Sequence, residues 1–223
     1  MTQRELIEII QQHHSQMGYK EIRLALNRAQ NDYCARTELL KKTYIQTSVA
    51  GQRYYELSSD ILKISRVQIN DVEIPRLIGS PIIDDDEFDS ADGLSSGSTS
   101  SNERFWYVDS GRLGVVEKVL NAVTRDDKIS NYQSISEAKE MRIFAISQGT
   151  DFTSTLTQES DLPTQFHEAL SCKVIADGYL IPPTVQGDLH KMFYTKYMDF
   201  VKEGRKYARS NYNQTGFIRQ THF

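Results

Sequence analysis

Apolar residues in this chain change their spacing twice, and that change limits the folds open to it. Up to about residue 50, and again after residue 161, they recur every three or four positions, as on a helix buried along one face. Between those segments the apolar runs are short, rich in β-branched and aromatic residues, and bounded by turn formers, as in strands. A chain patterned this way predicts terminal helices that share a core, with a β region inserted between them.

The helical signals are specific. Thr2 with Glu5 three residues later makes a capping box, and Leu6, Ile9, Ile10 and His13 follow at helical spacing, so a first helix should run to about Met17 and stop at Gly18. From Tyr19, the positions Ile22, Leu26, Ala29, Tyr33, Leu40 and Tyr44 predict a longer second helix whose wet face carries Lys20, Arg23, Arg28 and Asp32. Pro163 suits the first turn of a third helix, with Phe166, Leu170, Val174 and Ile181 as its buried stripe and Pro182-Pro183 as its stop. Asp188 can cap a fourth, in which Leu189, Phe193, Tyr197, Phe200 and Tyr207 face inward and Lys191, Lys196, Lys202 and Arg205 face water.

In the middle, Arg53 to Leu57, Leu62 to Ile69 and Val72 to Leu77 read as strands, the last two joined by an Asn70-Asp71 turn. Phe105 to Val108 and Leu113 to Leu120 flank a turn at Asp109-Ser110-Gly111, and Met141 to Ile146 reads as a closing strand. Residues 84–102, DDDEFDSADGLSSGSTSSN, join an acidic run to a Ser/Gly stretch with little to bury, which predicts a flexible loop. The expected fold class is α+β, mainly α: a bundle of about four helices from both chain ends, an inserted small antiparallel β domain and an extended C-terminal tail. The expected divisions are residues 1–50 for the first helical hairpin, 51–160 for the β-rich insertion, 161–211 for the helical pair completing the bundle, and 212–223 for the tail.

Composition excludes several functions. A net charge of -4 argues against wholesale capture of DNA, which needs a basic footprint. Charge is uneven, though: acids crowd residues 84–92, and after Glu203 come Arg205, Lys206, Arg209 and Arg219 with no acid, so a chain of this kind can meet itself or a partner head to tail. Two widely separated cysteines, Cys34 and Cys172, read as reduced thiols in a protein that stays in the cytoplasm until it joins a larger assembly. No stretch approaches the roughly 20 apolar residues of a membrane span, and MTQRELIEII lacks the form of a signal peptide.

No catalytic motif is found: there is no nucleophile elbow, phosphate-binding glycine loop, zincin helix or dinucleotide fingerprint, and the chain is not expected to be an enzyme or to hold a cofactor. The acidic run fails as a calcium loop, because placing Gly93 at the loop's glycine puts Phe88 at the first ligand and Thr99 where a bidentate Glu belongs. Asp84, Asp85, Asp86 and Glu87 are instead candidates for a partner contact. His13 and His14 point about 100° apart on a helix and lack a third ligand nearby; His13 is expected at the core edge and His14 in water. In the tail, Tyr212, Phe217, Ile218 and Phe223, with Arg219 beside them, are apolar anchors separated by polar residues, and are expected to order on a neighbouring molecule.

Three phrases, in order, carry a family resemblance: IRLALNRAQNDYCART, RYYELSSDILKISRVQINDVEI and SDLPTQFHEALSCKVIADGYL, followed by the Lys/Tyr-rich DLHKMFYTKYMDFVKEGRKYA. Together they resemble the head-to-tail connectors, or portal adaptors, of tailed bacteriophages. Ser58 stands where that family often has proline, and the long acidic loop is a further departure. The resemblance implies a structural virion protein of the neck, a ring homo-oligomer, typically a dodecamer, below the portal protein. Such a ring continues the DNA channel, lets genomic DNA pass without specific binding, and carries the next neck or tail protein; no membrane is involved. It also implies that the tail anchors meet the portal. The alternative is a tail-assembly or nucleic-acid-binding module without enzymatic activity.

Overall fold

The computed structural model describes residues 1–78, 99–120, 131–181 and 185–212. The chain divides into two compact units, Met1–Lys41 with Ile146–Phe223, and Lys42–Ala145.

The first unit holds helices α1 (Gln3–His13), α2 (Tyr19–Thr37), α3 (His167–Gly178) and α4 (Gly187–Tyr212). The capping box forms as expected: Thr2 Oγ1 accepts from Glu5 N–H, and the Glu5 carboxylate accepts from Thr2 N–H at 3.0 Å. Helix α1 ends at His13, earlier than its apolar rhythm suggests, and Gly18 serves as the N-cap of α2. Pro163 opens a 3-10 turn, Thr164–Phe166, that leads into α3. The core joins Leu6, Ile7 and Ile10 to Ile22, Leu26 and Tyr33, with Phe166, Leu170, Val174, Tyr197 and Val201 opposite.

The second unit is built of β1 (Lys41–Thr47), β2 (Tyr54–Glu56), β3 (Ile61–Ile69), β4 (Val72–Ile74), β5 (Thr99–Asp109), β6 (Arg112–Leu120), β7 (Asn131–Ser134) and β8 (Glu140–Ser147). One sheet runs β1-β8-β3-β4 and the other β2-β6-β5, with β7 also on β6. Strands β2 and β7 share one edge of β6, β2 against residues 112–114 and β7 against 116–119. The sheets meet where Trp106 N–H donates to Pro75 O at 3.1 Å and Leu77 N–H to Trp106 O at 2.7 Å. Between them lies a separate core of Tyr55, Val67, Ile69, Trp106, Leu113, Val115, Ile135, Met141 and Ile143.

These observations correct the expected fold class. The protein is not mainly α, because two antiparallel four-stranded sheets with their own core make up the second unit. Nor do the helices form a four-helix bundle, in which each helix keeps a wet face around a shared seam. Helix α3 is buried on almost every side, through His167, Ala169, Leu170, Ser171, Cys172, Val174, Ile175, Ala176 and Gly178, and the other helices pack around it.

A second correction concerns the stretch after α2. Leu40 and Tyr44 keep the helical spacing, yet Glu38 adopts a left-handed φ of 53° that ends the helix, and residues 41–47 form a strand. Its exposure alternates strictly, and Thr43, Ile45 and Thr47 are β-branched on one face. Both expected hairpin turns form, with positive φ at Asn70 and Asp71 and at Ser110 and Gly111, as the twist of a two-residue hairpin requires.

Gly114 lies directly across from Tyr107, and a Cβ there would overlap the phenol ring, which is buried against the glycine. Gly114→Ala should therefore cost about 1–3 kcal/mol through displacement of that ring, read as a lower urea midpoint for unfolding.

Candidate assembly site

Helix α2 fastens the helical unit through polar side chains that its sequence spaces along two faces. Asn27 clamps the backbone of Phe152: its Oδ1 accepts from Phe152 N–H at 2.8 Å, and its Nδ2 donates to Phe152 O at 3.4 Å. One turn further, the buried Gln30 donates to Thr150 O at 2.9 Å and accepts from Ser160 Oγ at 2.6 Å. Asp161 in turn accepts from Thr150 N–H at 2.8 Å and Thr150 Oγ1 at 2.7 Å. This segment also serves α1, since Gln3 and Arg4 N–H donate to Gln158 O and Leu156 O and satisfy amides that a helix start leaves open.

The other face of α2 holds α4. Both oxygens of Asp32 share the Arg36 Nε–H in a bifurcated contact, at 2.8 and 2.9 Å, and one of them accepts from Tyr197 Oη at 2.7 Å. Burial opposes ionisation of Asp32, but the Arg36 and Tyr197 hydrogen bonds outweigh it and hold the carboxyl below its ordinary range. Burial and the Asp32 contact push the Tyr197 phenol up. Tyr33 Oη donates to Phe200 O at 3.0 Å, Arg205 Nε donates to Arg36 O at 2.8 Å, and Gly204 leaves the space that the Tyr33 phenol occupies.

At the other end of α4, aromatic rings gather around the α1 terminus. His14 is buried, its Nε2 2.9 Å from Ile175 O, and its ring meets Tyr179 edge-on with centroids 4.6 Å apart. The exposed His13 lies edge-on to Phe193 at 5.0 Å. The expected placement of these histidines is thus reversed. Beyond the rings, Leu180, Ile181, Val185 and Met192 are about half exposed, an apolar group of the kind that marks contact surfaces. Along α4, Lys191, Lys196, Lys202, Arg205, Lys206 and Arg209 are exposed, with Lys196 paired to Glu168 at 2.6 Å and Lys202 to Asp199 at 2.8 Å.

The β unit contains a groove of about 440 Å³ lined by Leu57, Leu62, Lys63, Arg76, Trp106 and Val108. It also contains a buried ion pair, Arg104 with Glu117 at 2.8 Å, whose carboxylate further accepts from Ser136 Oγ at 3.1 Å.

The sequence profile of the SU10 adaptor protein family matches residues 17–170. This chain belongs to the SU10 adaptor protein family. No curated protein matches it at a significant level. The family is one of phage head-tail adaptors, so the chain is a structural adaptor and a component of a virion. The match takes in α2, all of the β unit and the segment that Asn27 and Gln30 clamp, and it ends within α3.

In the adaptor, the residues singled out as partner contacts fall outside what the structure describes. Asp84, Asp85, Asp86 and Glu87, together with Phe217, Ile218, Arg219 and Phe223, lie outside the described residues, and of Tyr212 only the backbone, at the end of α4, lies within them. Among the described residues there is no group of three or more His, Cys, Asp or Glu placed to hold a metal ion, and no helix is long and apolar enough to cross a membrane. Both cysteines are buried, and burial pushes the Cys172 thiol up to about 11. Sequence reading missed Asn27, Gln30 and Gly204; the available signal was a polar Gln30 set four residues from Leu26 on the apolar stripe.

Two outcomes follow. Gln30→Ala leaves the buried Ser160 hydroxyl without its acceptor and releases the Thr150 carbonyl, and should cost about 1–3 kcal/mol, measured by chemical denaturation. Asp32 has a lowered folded pKa, so its contribution is complete above the unfolded value of about 4 and is lost as pH falls through the folded one. Asp32→Asn should therefore lower stability at neutral pH and flatten the loss below about pH 4 in melts across the acid range.

Proposed function

We propose that the adaptor's copies close into a ring beneath the portal, continue the channel through which genomic DNA passes, and form the platform on which the next neck or tail protein docks. The family match over residues 17–170 carries this reading. Physical considerations support it. A ring needs two different faces per copy that meet heterologously and close by rotation, and the chain's acids and bases are concentrated in different segments. A net charge of -4 favours passage of DNA over retention, since phosphate binding strengthens with each cation presented.

In this reading Tyr212, Phe217, Ile218, Arg219 and Phe223 anchor the adaptor on the portal, and Asp84, Asp85, Asp86 and Glu87 supply a contact to a neighbour. Three aromatics within the last twelve residues are an apolar load that water does not favour, and burial against a partner relieves it. Removal of residues 212–223 should leave the thermal midpoint of the subunit unchanged while abolishing co-sedimentation with purified portal. Undiminished portal binding by the truncated protein would contradict the anchoring role.

A further inference from the structure

The groove of about 440 Å³ in the β unit draws its lining from the start of β3, the loop before it and the β5–β6 hairpin. Leu57, Ile61 and Trp106 line it, together with Leu62 and Val108, which are 37% and 43% exposed. Apolar walls with few polar groups are the make-up of a site that takes an anchoring side chain and orients it.

The polar group here is Arg76. Its guanidinium carbon lies 5.3 Å from the centroid of the Trp106 ring. A guanidinium stacked on an indole still offers its N–H edge, the fork that receives a carboxylate. No described residue supplies one. The acids flanking the lining segments are engaged elsewhere: Glu56 with Arg112, Asp60 with Tyr44, Glu73 with Arg66 and Asp109 with Ser110. None of the described residues lining the groove is acidic, and Lys63, which also lines it, has a partner of its own. The occupant that fits is therefore an apolar side chain with a carboxylate beside it.

The chain carries that chemistry in Asp86-Glu87-Phe88-Asp89, where Phe88 is the sole aromatic of the sequence with an acid on both sides. Phe88 follows Leu77 by 11 residues, and Leu77 is fixed to the groove wall by its N–H to Trp106 O at 2.7 Å. A stretch of that length can span up to about 36 Å, well beyond the radius of gyration of about 13 Å of a folded unit of roughly 100 residues. It is long enough to reach an adjoining subunit.

We propose that Phe88 of one copy docks in this groove of the next, with Glu87 or Asp89 on Arg76. The contact deepens the ring reading above and rests on it. Segment and groove are different surfaces of one chain, so the contact is heterologous and can repeat around a closed ring. The phenyl ring supplies the buried anchor, and the flanking charges select the partner.

Phe88→Ser should leave the thermal midpoint of the subunit unchanged and lower ring occupancy on the portal at least tenfold. Arg76→Glu should weaken the ring to a similar degree, and adding Glu87→Arg with Asp89→Arg to that variant should restore it, which a merely misfolded groove would not allow. Location is read by placing photoreactive benzoylphenylalanine at position 88 and assembling rings from equal parts of light and nitrogen-15 protein. Cross-links from position 88 to residues 57–64 or 106–111 should then be half mixed in isotope. Cross-links confined to single copies, cross-links to the portal instead, or rings of normal occupancy from Phe88→Ser would overturn the docking and leave the ring standing. A wild-type protein that forms no ring would instead overturn the ring reading.

Discussion

Two carboxamides on one helix hold this fold together. The chain leaves its helical unit after α2 and returns more than a hundred residues later, and the returning segment has no regular structure with which to satisfy its backbone. Asn27 and Gln30 supply those partners, closing on Phe152, Thr150 and Ser160. A buried backbone polar group without a partner costs about 1–3 kcal/mol, so these contacts decide where the second half of the chain can lie. With that segment fixed, Gln158 and Leu156 receive the first amides of α1, and Pro163 starts α3 into the middle of the core. The phrase LNRAQNDY, which carries the family resemblance, is thus a set of fasteners: Asn27 and Gln30 for the returning chain, Asp32 and Tyr33 for α4.

Rigidity comes from directional polar contacts at the helix junctions, where Asp32, Arg36 and Tyr197 form one network and Gly204 lets Tyr33 approach the α4 backbone. The β unit is stiffened differently, by paired strands around Trp106 and by the buried Arg104–Glu117 pair, which has Ser136 as a further donor. Surfaces left over are of contrasting kinds: an apolar group at the α3–α4 turn and cationic side chains along α4. In the ring proposed for the adaptor, unlike surfaces on one subunit would let its own copies and other neighbours bind without competition.

How much of this was legible in the sequence depended on how local its cause is. The capping box of α1 and the hairpin turns at Asn70-Asp71 and Ser110-Gly111 rest on neighbouring residues, and each forms as its residues dictate. Strand β1 is not legible, because Leu40 and Tyr44 continue a helical spacing that the left-handed Glu38 interrupts, a conformation nothing in its side chain announces. Helical spacing suggests a bundle because periodicity marks which face of a helix is buried but not whether all its faces are, and α3 is buried nearly all round. His14 became a core residue through contacts with Ile175 and Tyr179, far away in sequence. The carboxamide clamps depend on partners more than a hundred positions distant, beyond any reading of local pattern.

The central claim is that this adaptor works as a ring on the portal, and electron cryo-microscopy of the purified protein mixed with the portal of its phage tests that most directly. The account predicts a closed ring of copies stacked coaxially on the portal, with a continuous channel through both. A monodisperse monomer that fails to associate with the portal at every salt and protein concentration would contradict it.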